Sequence, residues 1–316
     1  MAVPHRDELL AAIGRAHYLE GKSKVEIAEE HGLSRFQVAR MLDEARESGI
    51  VRIEIMAPES RNGVSAEALQ DLLGLRRVVI TRSDHDPLIG REVQAQAAAD
   101  VLSSIVREGA TVGISWSRTL DAMATLVDRL PRCDIVQLAG ALPVAGSGNS
   151  FELIHKLGRL SGGRTWPVWA PLVVEDAATA AGLRRTPEIA GALAKADTLD
   201  IALVALGRWN SNSSTVWNRV GNLDRAAAAE AGAIAECSGR LFDGDGNAVK
   251  TDLDSRVIAV TLEQLKRTPE VIAVARTAQL APAVRAAARA GFVTTMIIDD
   301  ALAAELVKEP TGKYRK

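Results

Sequence analysis

Residues 22–42 read Lys-Ser-Lys-Val-Glu-Ile-Ala-Glu-Glu-His-Gly-Leu-Ser-Arg-Phe-Gln-Val-Ala-Arg-Met-Leu, which spells a helix, a sharp turn and a second helix. Ser23 stands where it can cap the first helix, and Glu26 three residues later completes a capping box. Val25, Ile27 and Ala28 supply an apolar side, with Ala28 small where two helices cross closely. Gly32 suits the left-handed backbone that ends a helix. Leu33 plugs the core under the turn, and Ser34 caps the second helix. Val38, Met41 and Leu42 recur at helical spacing and face inward. Arg35, Phe36, Gln37 and Arg40 are left outside. Arg and Gln make paired hydrogen bonds to base edges, and Ser34 with its neighbouring N–H groups suits a phosphate. The alternative is an ordinary capped helical hairpin. The joint match of Ala28, Gly32, Val38 and two caps favours a helix-turn-helix that lays its second helix in a groove of double-stranded DNA.

Upstream, residues 6–20 place Leu9, Leu10, Ile13 and Ala16 on one side of a helix, the third member of a small bundle. Downstream, residues 50–55 alternate apolar and charged side chains, as a half-exposed strand or wing does. Residues 1–56 hold eight Lys or Arg against ten Asp or Glu, and the whole chain carries −2. Non-specific DNA affinity rests on phosphate neutralisation, so a single head binds weakly. Two or more heads per operator are expected, hence a homo-oligomer, dimer or tetramer.

At 316 residues the chain has room for this head and a full α/β domain. Aromatic residues make up 3%, which argues against a stacking platform for single strands. No apolar run approaches the roughly 18 residues of a membrane span, and the N-terminus with His5, Arg6, Asp7 and Glu8 does not read as a secretory signal. Cys133 and Cys237 form no metal-ligand pattern. A reduced, cytoplasmic protein without metal or cofactor is the expectation.

Residues 56–65, with Pro58, Asn62 and Gly63, read as a polar hinge that divides a DNA-binding domain, 1–56, from an effector and oligomerisation domain, 57–316. Beyond it, strands at 77–81, 111–115, 134–138, 199–206, 257–260, 271–275 and 294–298 alternate with helices at 92–107, 118–130 and 151–160. That pattern predicts a doubly wound, mostly parallel α/β sheet, which takes ligands outside the carboxyl ends of its strands.

Four loops follow from that rule. Ser115, Trp116, Ser117, Arg118 and Thr119 combine free N–H groups, hydroxyls and a cation, suited to a phosphate or to sugar hydroxyls, although capping alone explains Ser117 or Thr119. Gly140 opens a flexible segment to residue 150, in which Asn149 either bonds hydroxyls or caps the next helix. Residues 207–217, with Arg208, Trp209 and Trp217 among amides and hydroxyls, suit a carbohydrate or form a plain exposed loop. Asp243, in Asp243-Gly244-Asp245-Gly246-Asn247, belongs to a partial calcium-like loop without the downstream Glu; it either makes a tight turn or accepts from a ligand hydroxyl. Enzyme motifs are absent: no HExxH, GxSxG, Walker lysine or dinucleotide glycine spacing. No catalytic residue is assigned. A sugar-phosphate isomerase or deaminase with an accessory head is the alternative, with Asp243 its one nameable base.

In these residues the chain resembles the SorC family of bacterial sugar-responsive transcriptional regulators, also called DeoR/SorC-type. The resemblance covers nearly the whole length. It rests on the head, on residues 113–119, on Val136-Gln137-Leu138-Ala139-Gly140, on Gly162-Gly163, on residues 202–207, on Arg240 to Gly246 and on residues 256–265. It implies a sugar-isomerase-like effector domain, an oligomer, and gating of operator binding by a sugar, polyol or sugar phosphate. Two departures stand out. Ser115 and Ser117 replace glycines of the family turn, which hinders backbone approach to a phosphate. Arg276, Thr277 and Leu280 stand where the family often has Gly-Gly and then Lys, so Arg118 or Arg276 must supply the missing cation, or the effector is unphosphorylated.

Overall fold

The computed structural model describes residues 6–51, 63–141 and 150–308. Residues 56–62 of the expected hinge, 52–55 of the expected wing and 142–149 of the second loop, Asn149 included, lie outside them. The chain divides into two compact units, Met1–Pro58 and Glu59–Lys316.

The first unit holds α1 (Arg6–Tyr18), α2 (Lys24–His31) and α3 (Arg35–Glu47). Both capping boxes form, Ser23 with Glu26 and Ser34 with Gln37. Gly32 takes φ 66° and its N–H donates to the Ala28 carbonyl, so the turn is fixed by backbone chemistry the sequence announces. Leu10, Ile13, Ile27, Val38 and Leu42 meet in one core. Val25 departs from expectation: it is 49% exposed, and the short α2 buries only Ile27 and Ala28.

The second unit is built on β1 (Arg77–Thr81), β2 (Thr111–Ile114), β3 (Asp134–Gln137), β4 (Thr165–Trp166), β5 (Ile201–Arg208), β6 (Ala235–Cys237), β7 (Arg240–Phe242), β8 (Glu270–Ala275) and β9 (Thr295–Asp299). Seven strands run parallel in the order β1-β9-β8-β5-β2-β3-β4. Their side chains divide by parity. Ala202, Val204, Val271 and Ala273 enter one apolar cluster, and Ile201, Leu203, Ile272 and Val274 enter another. A sheet buried on both faces needs helices on both faces, which is why these strands read as continuous apolar runs. Helices α4 (Ala66–Leu73), α5 (Pro87–Ile105), α6 (Arg118–Leu126) and α7 (Ser150–Ser161) are the first four of that cover.

Three elements differ from the sequence reading. α5 starts at Pro87, five residues early, because Asp86 accepts from the Leu88 N–H and Pro87 is pre-set for a first turn. Residues 257–260 join no strand; Val257 and Ala259 make isolated bridges to Val173 and Ala139. β5 outruns its parallel neighbours, and its last residues Leu206, Gly207 and Arg208 pair antiparallel with β6. The β6–β7 hairpin turns on Ser238 (φ 50°) and Gly239 (φ 83°), the two positive φ values a two-residue hairpin loop demands.

From β2 the chain steps outward to β3 and β4, then returns to β5 on the other side of β2. That reversal opens a crevice at the carboxyl ends of β2 and β5.

Candidate functional site

A cavity of about 480 Å³ fills that crevice. Ser115, Trp116, Ser117, Arg118 and Thr119 leave β2 and line it. Gly140 enters from the end of β3, Gly207 from β5 and Arg276 from the end of β8. Loops that are far apart in sequence thus meet because parallel strands deliver them to one edge. Gly140 has to be small: a Cβ there lies 2.6 Å from the Pro171 carbonyl oxygen and 2.7 Å from that of Ala170. Ser117 spends its hydroxyl on capping α6, accepting from the Leu120 N–H at 3.1 Å. Ser115 accepts from the Ser238 hydroxyl at 3.1 Å, which ties the β2 loop to the β6–β7 turn.

One wall is cationic. Arg91 from α5, Arg118 from α6 and Arg276 all line the cavity. No ion pair joins any of them to a carboxylate among the described residues. Burial, followed by repulsion from Arg118 and Arg276, holds the Arg91 guanidinium below its ordinary range; it stays charged all the same. Guanidinium groups gathered along one wall with no ion-pair partner among the described residues form a site for an anion, and their planar forks match phosphate or carboxylate oxygens in pairs.

Another wall is polar and acidic. Glu236 on β6 lines the cavity, is 5% exposed and accepts from the hydroxyls of Ser214 and Thr215, the latter at 2.8 Å. Burial raises its carboxyl above the usual carboxylate range, and hydrogen bonds from Ser214, Thr215 and the Val216 backbone oppose the rise. These bonds anchor the loop that brings Ser211, Asn212, Ser213 and Asn218 to the cavity. Hydroxyls, amides and one buried carboxylate are the groups that recognise a polyhydroxylated ligand by hydrogen bonds.

The structure takes three predicted residues out of this site. Trp209 is 8% exposed and packs edge-on against Trp217, ring centres 5.0 Å apart, with its indole N–H donating to the Arg225 carbonyl. The pair packs into a small core under the loop, and Trp209 is buried in it while Trp217 stays half-buried. Arg208 reaches the Gln279 carbonyl at 3.4 Å and does not line the cavity. Asp243 accepts the backbone N–H groups of Asp245 and Asn247 at 2.9 and 2.8 Å, so it holds its own turn. Arg91, Gln94 and Glu236 are among the lining residues that the sequence alone does not reveal. Arg91 lies one residue before the helix that the sequence predicts from 92. Gln94 donates to the Ala275 and Ile297 carbonyls at 2.8 and 3.0 Å. Glu236 was hidden in a three-residue strand, although a lone charge between Ala235 and Cys237 was its signal.

On the head, Ser34, Arg35, Phe36, Gln37 and Arg40 are exposed. Arg6 and Lys22 are paired with Glu44 and Glu30, whereas Arg35 and Arg40 enter no ion pair among the described residues. The Gln37 side-chain oxygen accepts from the Ser34 N–H at 2.8 Å. That oxygen is therefore committed to the cap, and paired recognition of adenine by Gln37 has to break it.

Residues 62–308 match the model of the Sugar-bind family, a sugar-binding domain. The transcriptional regulator YjhU of Escherichia coli K12 is 27% identical over 91% of this chain and 90% of its own length. The deoxyribonucleoside regulator of Bacillus subtilis is 24% identical, covering 96% and 98%. Among solved structures, the full-length sorbitol operon regulator SorC of Klebsiella pneumoniae superposes with a TM-score of 0.74 at 19% identity, over 95% of this chain and 98% of that one. A DeoR family transcriptional regulator from Listeria monocytogenes gives 0.69 at 26% identity, over 77% and 98%.

Proposed function

The chain belongs to the Sugar-bind family of SorC-type transcriptional regulators, and from that premise we propose that it binds operator DNA through its first unit and is gated by a phosphorylated sugar or polyol held in its second. The observation that carries the effector class is the cavity at the sheet's switch point, with Arg91, Arg118 and Arg276 along one wall and Glu236 with the hydroxyl-rich loop along another. The guanidinium groups take the phosphate; the carboxylate and hydroxyls take the sugar's own hydroxyls. Arg276 supplies the cation that the family's usual Lys provides. Arg35 and Arg40 contact operator bases or phosphates, and the chain assembles as a homo-oligomer in the cytoplasm because one head of mixed charge binds too weakly alone. The reaction is binding without catalysis, since the one base named for an enzyme, Asp243, is occupied by its own turn.

The test is a thermal-shift series with matched pairs of pentoses, hexoses and polyols, each free and phosphorylated. A ligand that binds only the folded state raises the melting temperature. Phosphorylated members are expected to do so, with their free partners far weaker. Equal shifts from free and phosphorylated partners would overturn the anion wall. For the head, Arg35→Ala is expected to cost about 1–3 kcal/mol of operator affinity in a gel-shift titration if it makes a paired base contact.

A further inference from the structure

Arg276 hangs from an unusual piece of backbone. Thr277, the next residue, adopts φ 78° and ψ 143°, beside the region that only glycine occupies freely. A β-branched residue at positive φ is a true outlier. Its own side chain is exposed, so what holds it is backbone chemistry. The Thr277 N–H donates to both carboxylate oxygens of Asp299, at 3.0 and 3.2 Å, and its carbonyl accepts from the Leu280 N–H at 3.0 Å. Asp299 is 4% exposed at the end of β9 and is itself fixed by the Leu302 N–H at 2.9 Å. On the other side, a Cβ placed on Gly90 of α5 would lie 2.5 Å from the Arg276 Nη1. The Arg276 guanidinium therefore lies directly over the Gly90 backbone. One turn further along α5, Gln94 donates to the Ala275 and Ile297 carbonyls and ties the helix to the ends of β8 and β9.

We propose that Thr277 is a positioning residue for effector binding: its forced backbone, pinned by Asp299, aims Arg276 across Gly90 into the anion wall. Resting on the effector reading above, this adds how the cation is held. A long side chain with many rotamers loses entropy when a ligand immobilises it. A stem that already points one way reduces that loss. A threonine here keeps the stem in one conformation at the expense of strain, whereas glycine removes the strain and frees the stem.

The experiment is a double-mutant cycle with Thr277→Gly and Arg276→Ala in the full chain, read by calorimetric titration with inorganic phosphate and by melting temperature. Thr277→Gly is expected to melt no lower than the unsubstituted protein, because strain relief offsets the added freedom of the unfolded chain. It is nevertheless expected to bind phosphate about two- to tenfold more weakly. In the Arg276→Ala background the same change is expected to have no effect on phosphate, the non-additivity that marks residues acting through one another. Phosphate binding that is weakened by Arg276→Ala and untouched by Thr277→Gly overturns the positioning role and leaves the anion wall standing. An equal loss from Thr277→Gly in both backgrounds also overturns it, since the effect then bypasses Arg276. Phosphate that fails to bind the unsubstituted protein overturns this proposal and the anion wall together.

Discussion

Glu236 sits where burial works against its charge. Its carboxyl titrates above the ordinary 4.5 in the folded chain, with burial as the leading cause. Below pH 4.5 the folded and unfolded chains both hold the proton, and the folded state keeps its full advantage. As pH rises through the raised folded value, the unfolded chain ionises first and that advantage is lost. The melting temperature of the protein is therefore expected to fall, relative to Glu236→Gln, as pH climbs from about 4.5 towards neutrality. A difference that stays level across that range would show that Glu236 ionises in the fold as freely as in water. Trp209 and Asp243 illustrate a limit of reading residues singly. Both have the chemistry of sugar recognition, and both are used up by neighbours close in sequence, Trp209 by Trp217 and the Arg225 carbonyl and Asp243 by its own turn. Composition and spacing say which groups are near in sequence, and only packing says whether they still have a hand free.

At the scale of elements, the legible parts are those with a local cause. The caps of α2 and α3 and the left-handed Gly32 each depend on residues at most four apart, so the sequence states them outright. The two-faced strands are legible through their apolar runs, the loops after β2, β3 and β5 through the rule that ligands meet strand carboxyl ends, and Arg276 only through the resemblance to the SorC family. Arg91 is not, because helix propensity in the Ala-rich stretch points to a start after the actual Asp86 cap. Residues 257–260 look like a central strand because they are buried, yet they pair by isolated bridges only. The loop after β5 yields a prediction of its own. A Cβ on Gly207 would lie 2.6 Å from the Ser213 backbone oxygen. Since backbone cannot rotate away as a side chain can, Gly207→Ala must displace the loop that Glu236 anchors. It is expected to cost about 1–3 kcal/mol of stability in denaturant melts, the usual range for overpacking. A sugar phosphate that raises the wild-type melting temperature is expected to raise that of Gly207→Ala less. An unchanged ligand shift would place the loop outside recognition.

For the molecule as a whole, gating is a free energy shared by two ligands. If a sugar phosphate weakens operator binding by some factor, operator DNA must weaken sugar-phosphate binding by the same factor. Titrating the effector with and without a saturating operator duplex measures this directly, and unequal factors would mean that the binding states were miscounted. The sheet order adds a constraint of another kind. Among the described residues β1 pairs with β9 and with no other strand, Arg77 lying opposite Thr295. On the ribosome, β1 emerges roughly 200 residues before β9, and at the usual pace of 5–20 residues per second it waits about ten seconds or more for that partner. Over that interval Val78 and Ile80 lack their partners Met296 and Ile298. The head, whose core draws on the first 51 residues alone, faces no such delay. A nascent chain thus completes the core of its first unit well before its second unit can close its sheet, and only the emergence of β9 ends that interval.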